Sequence, residues 1–395
     1  MKGLARTFYL FTGFHSFLLG LLPLFIPVIL WDKGVTINDI ASFIALTGVG
    51  FLFALYYWDR LRAKQSWLII VSLSFCFQSL FVILLVFDNM ALIMTLGALI
   101  NGAAGCFYWS TQRLLFQAIT EDKNTGNTFG NFQILVVVAL KIGVLVGSYL
   151  LGIEYFAVLL GLSFIVSLIG FFTVQQSLTQ HHQSILSLDQ QIPALNLQQI
   201  LNFKDRSHSR LIFAVDGLFL FLESYFWVLT IYMLTQENVM QLGLIIIALS
   251  FALALIFWVL KKQIDRVNVQ RIYLIAVLGY ALSWYLRTQF DTSLSPVILY
   301  SGLLLVAFLS NFFRLAFNKR FYDIARQDQP TRYIICKSYY SQFMLVLFFS
   351  VIAFVLKQES EALIQLQVIY YFSIPFVFIY LIYGMQIRKD HKLTS

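Results

Sequence analysis

The chain is built from apolar stretches of about 20 residues or more, separated by short polar segments. An α-helix of that length spans the hydrocarbon core of a bilayer. Helices are the expected form, because lipid offers no partners for unpaired backbone groups and these stretches lack the alternation of a membrane β-barrel. Charged residues make up only 12% of the chain, about half the usual fraction for a soluble protein. The sequence therefore predicts an all-α polytopic membrane protein.

Hydropathy predicts twelve transmembrane helices in two groups of six. The first group covers residues 7–31, 37–57, 66–87, 90–119, 128–152 and 154–174. The second covers residues 209–234, 238–260, 270–288, 295–319, 334–356 and 363–385. We therefore expect an N-terminal six-helix bundle over 1–174, a cytoplasmic linker over 175–208 and a C-terminal six-helix bundle over 209–395.

Lysine and arginine residues predict the orientation of these helices. With the N-terminus inside the cell, the outer loops contain only Lys33, Arg287 and Lys357, and the other loop cations, among them the expected anchors Arg62 and Lys337, face the cytoplasm. This bias is typical of cytoplasmic loops. We expect both termini to be cytoplasmic, in an inner membrane of bacterial type. The net charge of +8 then reflects topological anchors, and no nucleic-acid partner is expected.

Signatures of a metal centre, a cofactor or an enzyme are missing from the sequence. The three cysteines have no metal-ligand spacing, and His181-His182 has no further ligands nearby. A phosphate-binding glycine loop is absent, so ATP is not the expected energy source. No nucleophile and base stand in a catalytic pattern, and we expect a monomeric protein without enzymatic activity.

Two short motifs recur about 200 residues apart, in the two predicted halves. Asp59-Arg60 follows the second helix, and Asp265-Arg266 follows the eighth. Arg113-Leu114-Leu115-Phe116 lies near the end of the fourth helix, and Arg314-Leu315-Ala316-Phe317 occupies the same place in the tenth. Repeats in one orientation indicate a transporter architecture in which the site lies between two halves that rock.

The segment after helix two resembles the signature loop of the major facilitator superfamily, Gly-x-x-x-Asp-Arg-x-Gly-Arg-Arg. Asp59, Arg60 and Lys64 match this pattern, and Leu55 and Arg62 replace its two glycines. The resemblance implies the twelve-helix fold of that family, with helices one, four, seven and ten around a central cavity.

Helix five contains a second resemblance. Gly143, Gly147 and Gly152 are similar to the glycines of the family's antiporter motif, whereas Ser148 and Leu151 replace its proline and another glycine. This departure weakens the implied link to drug antiporters.

The charged segments after helices two and eight are candidates for a gate. A carboxylate there can meet an opposing helix N-terminus or a cation from the other half, and thereby latch one conformation. The alternative is that these residues only follow the positive-inside rule. The predicted gating residues are Asp59, Arg60, Lys64, Asp265 and Arg266.

Ionisable residues inside predicted membrane helices are costly and usually functional. Glu223 lies near the middle of helix seven, where poor solvation favours binding of a proton, so it is the first candidate for proton coupling. Asp216 lies two turns earlier on the same face, and His15 in helix one is a third candidate. The alternative for Glu223 is a static ion pair with Lys141 of helix five.

Arg113 and Arg314 occupy equivalent places in the two halves, and together they could clamp a carboxylate or phosphate. The alternative is that each arginine pairs within its own half, for example with Asp216. With Lys141, three cations would outnumber two intramembrane carboxylates, which favours an anionic substrate. The predicted substrate-binding residues are Arg113, Arg314, Lys141, Asn101, Tyr108, Trp109, Tyr225 and Asn311.

These features predict a secondary active transporter that moves a small organic solute, preferably an anion, by alternating access driven by protons. A second hypothesis is a proton-driven exporter of lipophilic compounds, which fits the aromatic content of 17%. A third is a lipid scramblase, receptor or assembly partner that has the same fold and no gradient-driven transport.

Overall fold

The computed structural model describes residues 2–87, 89–119, 125–180, 192–264, 269–327, 329–355 and 361–384. Helices in the first part of the chain are α1 (Gly3–Asp32), α2 (Ile37–Ala63), α3 (Trp67–Val86), α4 (Met90–Ile119), α5 (Thr125–Gly152) and α6 (Phe156–Gln180). A linker helix spans Leu197–Leu201. The remaining helices are α7 (Ser209–Leu234), α8 (Val239–Ile264), α9 (Val269–Arg287), α10 (Pro296–Gln327), α11 (Pro330–Val355) and α12 (Ala362–Gly384).

Within the described ranges, ten of these helices are long and apolar enough to cross a membrane. The other two are α8, which has an apolar part over Val239–Leu253, and α9, which carries an arginine near each end. The protein is therefore an all-α polytopic membrane protein, as predicted.

Several helices extend further than hydropathy predicts. The structure continues α2 to Ala63 and α10 to Gln327, and α11 begins at Pro330. Hydropathy marks only the part of a helix inside lipid, whereas the backbone continues as a helix into water. The predicted gating loop after the second helix is therefore wrong in one respect: Asp59 and Arg60 lie in the last turns of α2.

Among the residues that the structure describes, four helices contain a turn of irregular geometry. In α1, Pro23–Phe25 forms a 3₁₀ turn, and in α12, Phe378–Tyr380 forms another after Pro375. A π-helical turn occurs at Ile93–Gly97 of α4 and at Leu222–Phe226 of α7. Such turns redirect side chains and are frequent at functional sites. Glu223 lies in the π turn of α7.

Glycines allow neighbouring helices to pack backbone to backbone. The carbonyl oxygen of Leu140 lies where Gly20 would carry a Cβ, and the carbonyl oxygen of Phe17 lies in the same way against Gly143. Close approach at small residues is typical of packed membrane helices. The glycine pattern of α5 therefore has a packing role against α1.

Polar contacts join the C-terminal end of α1 to the C-terminal end of α7 and the segment after it. The indole nitrogen of Trp31 donates to Oε1 of Glu237 at 2.9 Å, and the hydroxyl of Tyr232 donates to Oδ1 of Asp32 at 2.8 Å. These bonds connect the first six helices to the last six on the side that the cation bias places outside the cell.

Gly143→Ala should destabilise the protein by about 1–3 kcal/mol, because the new methyl group would overlap the backbone of α1. Gly161→Ala is the matched control, since a Cβ at Gly161 meets no atom within 4 Å. Thermal unfolding of the purified variants in detergent measures both changes. Equal melting temperatures for the two variants would contradict this account of the α1–α5 contact.

Candidate functional site

Arg314 of α10 is the centre of a network of buried charges. Its Nη1 lies 2.8 Å from Oδ1 of Asp216, and its Nη2 lies 3.1 Å from Oε2 of Glu223. Both carboxylates belong to α7, so the guanidinium bridges two turns of one helix. The structure thus shows the alternative arrangement for Arg314, in which the arginine pairs within its own half of the chain.

Asp216 is the most enclosed group of this network, with a side chain that is 2% exposed. Besides Arg314, it contacts Nζ of Lys337 at 2.7 Å and accepts a hydrogen bond of 3.2 Å from the hydroxyl of Tyr380. A carboxylate buried in this way is retained only when it is well paired. This geometry is that of a structural ion pair.

Glu223 is held more loosely, and its side chain is 21% exposed. Its Oε1 accepts a hydrogen bond of 2.9 Å from the hydroxyl of Tyr280 and lies 3.6 Å from Nη2 of Arg287. The partners of Glu223 are two arginines of α9 and α10 in place of the expected Lys141, and Glu223 itself lies in the π turn of α7.

Arg287 was expected in an outer loop, and the structure corrects this. The residue ends α9 and is 1% exposed, and its guanidinium packs over the rings of Trp284 and Trp227 at 4.2 and 4.9 Å. It also donates to the hydroxyls of Ser283 and Ser310, each at 2.9 Å. Aromatic faces and hydroxyls can thus accommodate an arginine that hydropathy assigns to water.

Lys337 was expected among the cytoplasmic anchors, and this too was wrong. Because α11 begins at Pro330, Lys337 lies two turns inside the helix, where it is 6% exposed and meets Asp216. The predicted helix began at residue 334, which placed Lys337 in the first turn, near water. The hydroxyls of Tyr280 and Tyr380 were missed as well, since a tyrosine in an apolar helix has no sequence signal that separates a hydrogen-bonding role from packing.

Arg113 of α4 approaches this network from the first six helices. It is half-buried, and it interacts electrostatically with Asp216 and Lys337. In the described part of the chain it forms no ion pair or hydrogen bond. Asp216 and Glu223 therefore face the cations Arg314, Arg287 and Lys337, and Arg113 adds a further positive charge.

Two predicted substrate-binding residues meet between α4 and α7. Nδ2 of Asn101 in α4 donates to the hydroxyl of Tyr225 in α7 at 3.0 Å, and the Tyr225 ring lies 6.3 Å from that of Phe43. Tyr225 belongs to the same π turn as Glu223. The two positions predicted from helix order alone are therefore in contact near the charge network.

His15 and Tyr108 lie in the core of the first six helices. The imidazole is 3% exposed and stacks between the rings of Phe75 and Tyr108, at 4.3 and 4.6 Å. Its Nε2 lies 3.1 Å from the hydroxyl oxygen of Ser74. This is a packing environment, and the proton-coupling role of His15 stays a prediction without geometric support.

The remaining predicted substrate residues do not join the network. Lys141 is half-buried in α5 and forms no hydrogen bond or ion pair within the described residues. Trp109 is 38% exposed, and Asn311 is exposed and donates to the carbonyl oxygen of Ala307 in its own helix at 2.8 Å. By helical spacing, each of the latter two shares a face with its nearby arginine, Arg113 or Arg314.

The predicted gate residue Asp59 is buried and holds the linker. It pairs with Arg62 at 2.8 Å, and its Oδ2 accepts a hydrogen bond of 2.7 Å from the backbone N–H of Leu195. Arg62, expected to be a plain anchor, is fully buried and donates to the carbonyl oxygen of Ile192 at 3.2 Å.

The linker also contacts the last six helices. The hydroxyl of Tyr340 in α11 donates to the carbonyl oxygen of Ile200 at 3.0 Å. Residues 192–201 therefore connect α2 to α11. Arg60 and Lys64 are exposed, and Asp265 and Arg266 lie outside the described residues. The gating role of the charged residues after helices two and eight stays a prediction.

No family model and no curated protein sequence matches this chain. Solved structures do resemble it. The nucleoside transporter NupG, in a mutant form, superposes with a TM-score of 0.66 at 14% sequence identity, covering 97% of this chain and 99% of that one. A second NupG structure gives 0.64 at 14% identity, covering 96% and 98%. A bacterial homologue of the human drug peptide transporters PepT1 and PepT2 gives 0.62 at 11% identity, covering 100% and 99%.

The chain has the major facilitator fold. Similarity along nearly the full length of each chain supports this conclusion, although so few residues are identical. The prediction of fold class is therefore confirmed. At this level of identity the similarity is one of fold, and the site must be argued from the residues of this chain.

Asp216→Asn should lower the stability of the protein by about 3 kcal/mol or more, because it leaves the buried Lys337 without its carboxylate partner and removes one of the two carboxylates that pair with Arg314. Glu223→Gln should cost less, since Glu223 is ten times as exposed as Asp216 (21% against 2%). Thermal unfolding in detergent measures both.

Adding Lys337→Met to Asp216→Asn should recover part of the lost stability, because one stranded cation is then removed. A double variant that is no more stable than Asp216→Asn alone would show that the Lys337–Asp216 pair does not carry the effect.

Proposed function

We propose that the protein is a secondary active transporter that moves a small organic anion together with a proton by alternating access. The observation that carries this proposal is the bridge from Arg314 to Asp216 and Glu223. Glu223 is more exposed than Asp216, so Asp216 can hold Arg314 in place while Glu223 exchanges Arg314 for a proton.

The charges of the network favour an anion as the substrate. Three cations face two carboxylates in the last six helices, and Arg113 approaches from the other half without a carboxylate partner among the described residues. An excess of positive charge in a poorly solvated site is costly, and a bound anion offsets that cost. Guanidinium groups also match carboxylate and phosphate geometrically.

Glu223 is suited to proton exchange by its position and its partners. Its side chain is 21% exposed, so a proton can reach the carboxylate. The Tyr280 hydroxyl, which donates to this carboxylate, can rotate and accept a hydrogen bond once Glu223 is protonated. Asp216 keeps Arg314 in the site when the Glu223–Arg314 ion pair breaks, because Arg314 forms a separate ion pair of 2.8 Å with Asp216.

The coupling follows from competition for Arg314. An anion that binds Arg314 weakens its hold on Glu223, and an unpaired carboxylate in a poorly solvated site binds a proton more readily. Anion and proton therefore assist each other's binding, and this reciprocity is required by thermodynamic linkage. Positive coupling between the two ligands favours symport over exchange.

The names of the structural neighbours support a transport function in general terms. NupG is a nucleoside transporter, and the other neighbour is a homologue of peptide transporters. A neutral nucleoside does not require the charge excess of this chain, so the substrate class is argued only from the charged residues of this chain. We also propose that residues 1–174 and 209–395 form the two rocking halves in an inner membrane, with both termini cytoplasmic.

Anions should stabilise the purified protein against heat, because they fill a site with excess positive charge. A thermal-shift panel would contain lactate, succinate, citrate and inorganic phosphate, with glucose, uridine and a dipeptide as further solutes. Arg113→Gln should weaken binding of the best anion about tenfold or more, the contribution of one charge-assisted hydrogen bond. Lys204→Gln, which removes an exposed cation of the linker, should change nothing.

Two outcomes would contradict the anionic substrate. One is a panel in which only the uncharged solutes stabilise the protein. The other is an anion whose affinity is the same in Arg113→Gln as in the wild type.

Glu223→Gln should abolish anion accumulation driven by a pH gradient and leave anion exchange intact, because glutamine mimics the protonated carboxyl. The assay uses liposomes and the best anion of the panel, first with an imposed pH gradient and then by counterflow. Glu361→Gln, at an exposed position in the N-cap of α12, is the control and should behave as the wild type. Accumulation by Glu223→Gln that still follows the pH gradient would exclude Glu223 from coupling.

A further inference from the structure

An apolar groove of about 720 Å³ lies on the outer face of α2, α3 and α4, away from the charge network. Its wall residues include the aromatic side chains of Phe53 and Tyr57, which are 68% and 61% exposed. Small residues such as Gly50, Ala54 and Ala103 leave room between the helices. In a bilayer this face meets lipid.

One end of the groove is closed by helix packing. The carbonyl oxygen of Leu99 in α4 lies where Gly50 of α2 would carry a Cβ, and that of Thr47 lies in the same way against Gly102. The two backbones therefore touch at this level, and the groove ends there.

The opposite end carries two cations, Arg60 and Lys64. Both side chains are exposed, and within the described ranges neither forms an ion pair with a carboxylate. Arg60 instead lies 3.3 Å from the centroid of the Tyr56 ring and donates to the Tyr56 carbonyl oxygen at 3.2 Å. The nearest carboxylate in sequence, Asp59, is buried against Arg62 and the linker.

The dimensions of the groove match one leaflet. Gly50 and Arg60 are ten residues apart on a continuous helix, which corresponds to about 15 Å. Half of a hydrocarbon core about 30 Å thick has the same depth. An acyl chain that starts at the level of Arg60 therefore ends near Gly50, where the helices close.

We propose that this groove binds an anionic phospholipid of the cytoplasmic leaflet. The phosphate contacts Arg60 and Lys64, and one acyl chain lies along Phe53, Ala54 and Leu73. Two cations without a neighbouring carboxylate select an anionic headgroup over a zwitterionic one, because no acidic group is present on the described groove wall to hold an amine. This site is separate from the transport site and does not depend on the identity of the substrate.

Native mass spectrometry of the purified protein tests this proposal directly. The protein is equilibrated with micelles that contain equal amounts of phosphatidylglycerol and phosphatidylcholine, and the bound lipid is counted. We expect the wild type to retain phosphatidylglycerol in preference, and Arg60→Gln with Lys64→Gln to lose most of that preference. Lys204→Gln removes another exposed cation and should retain it.

A second variant tests the contribution of the acyl chain to lipid binding separately from that of the headgroup. Ala103→Leu fills the groove and leaves both cations in place, so it should also reduce the retention of phosphatidylglycerol. A variant is compared only if it elutes as a folded monodisperse species. Equal retention of the two lipids by the wild type would overturn the proposal. So would undiminished retention of phosphatidylglycerol by both groove variants, or preferential occupancy by an uncharged lipophile.

Discussion

The arrangement of this protein depends on one ionic contact inside the membrane, that of Arg314 with Asp216 and Glu223. A guanidinium in such a place is stable only when carboxylates and hydroxyls surround it. Tyr280 and Tyr380 complete that environment from α9 and α12. Side chains of α7, α9, α10, α11 and α12 therefore meet in one network around Arg314 and Asp216. A site of this kind is fixed by Asp216 and adjustable at Glu223.

Two members of this site lie at local departures from regular helix geometry. Glu223 belongs to the π turn of α7, and Tyr380, which donates to Asp216, belongs to the 3₁₀ turn after Pro375. In a regular helix, the direction of each side chain would follow from its position in the sequence alone. The proposed proton-binding group thus lies at an irregular turn, the proposed anion-binding arginines lie in regular helices, and tight glycine contacts elsewhere hold helices together.

Much of the fold could be predicted from the sequence, because lipid permits little besides apolar helices. Hydropathy placed Glu223, Asp216 and Arg314 in helices seven and ten, and the resemblance to the major facilitator superfamily implied that these helices line one cavity. The sequence could not predict which charged side chains form ion pairs, since this depends on how each helix is rotated and where it ends. Lys337 and Arg287 were assigned to aqueous segments because a hydropathy boundary cannot distinguish a buried cation near a helix end from an exposed one. Similarly, nothing in the sequence indicates that Asp59 and Arg62 hold the linker.

The central claim is that a bound anion draws Arg314 away from Glu223, and that Glu223 then binds a proton. Proton uptake on anion binding measures this directly, in detergent solution with little buffer and a pH-sensitive dye. The account predicts that adding the binding anion makes the wild type take up protons, and that Glu223→Gln binds the anion without uptake. Anion binding to the wild type with no proton uptake, or equal uptake by Glu223→Gln, would contradict it.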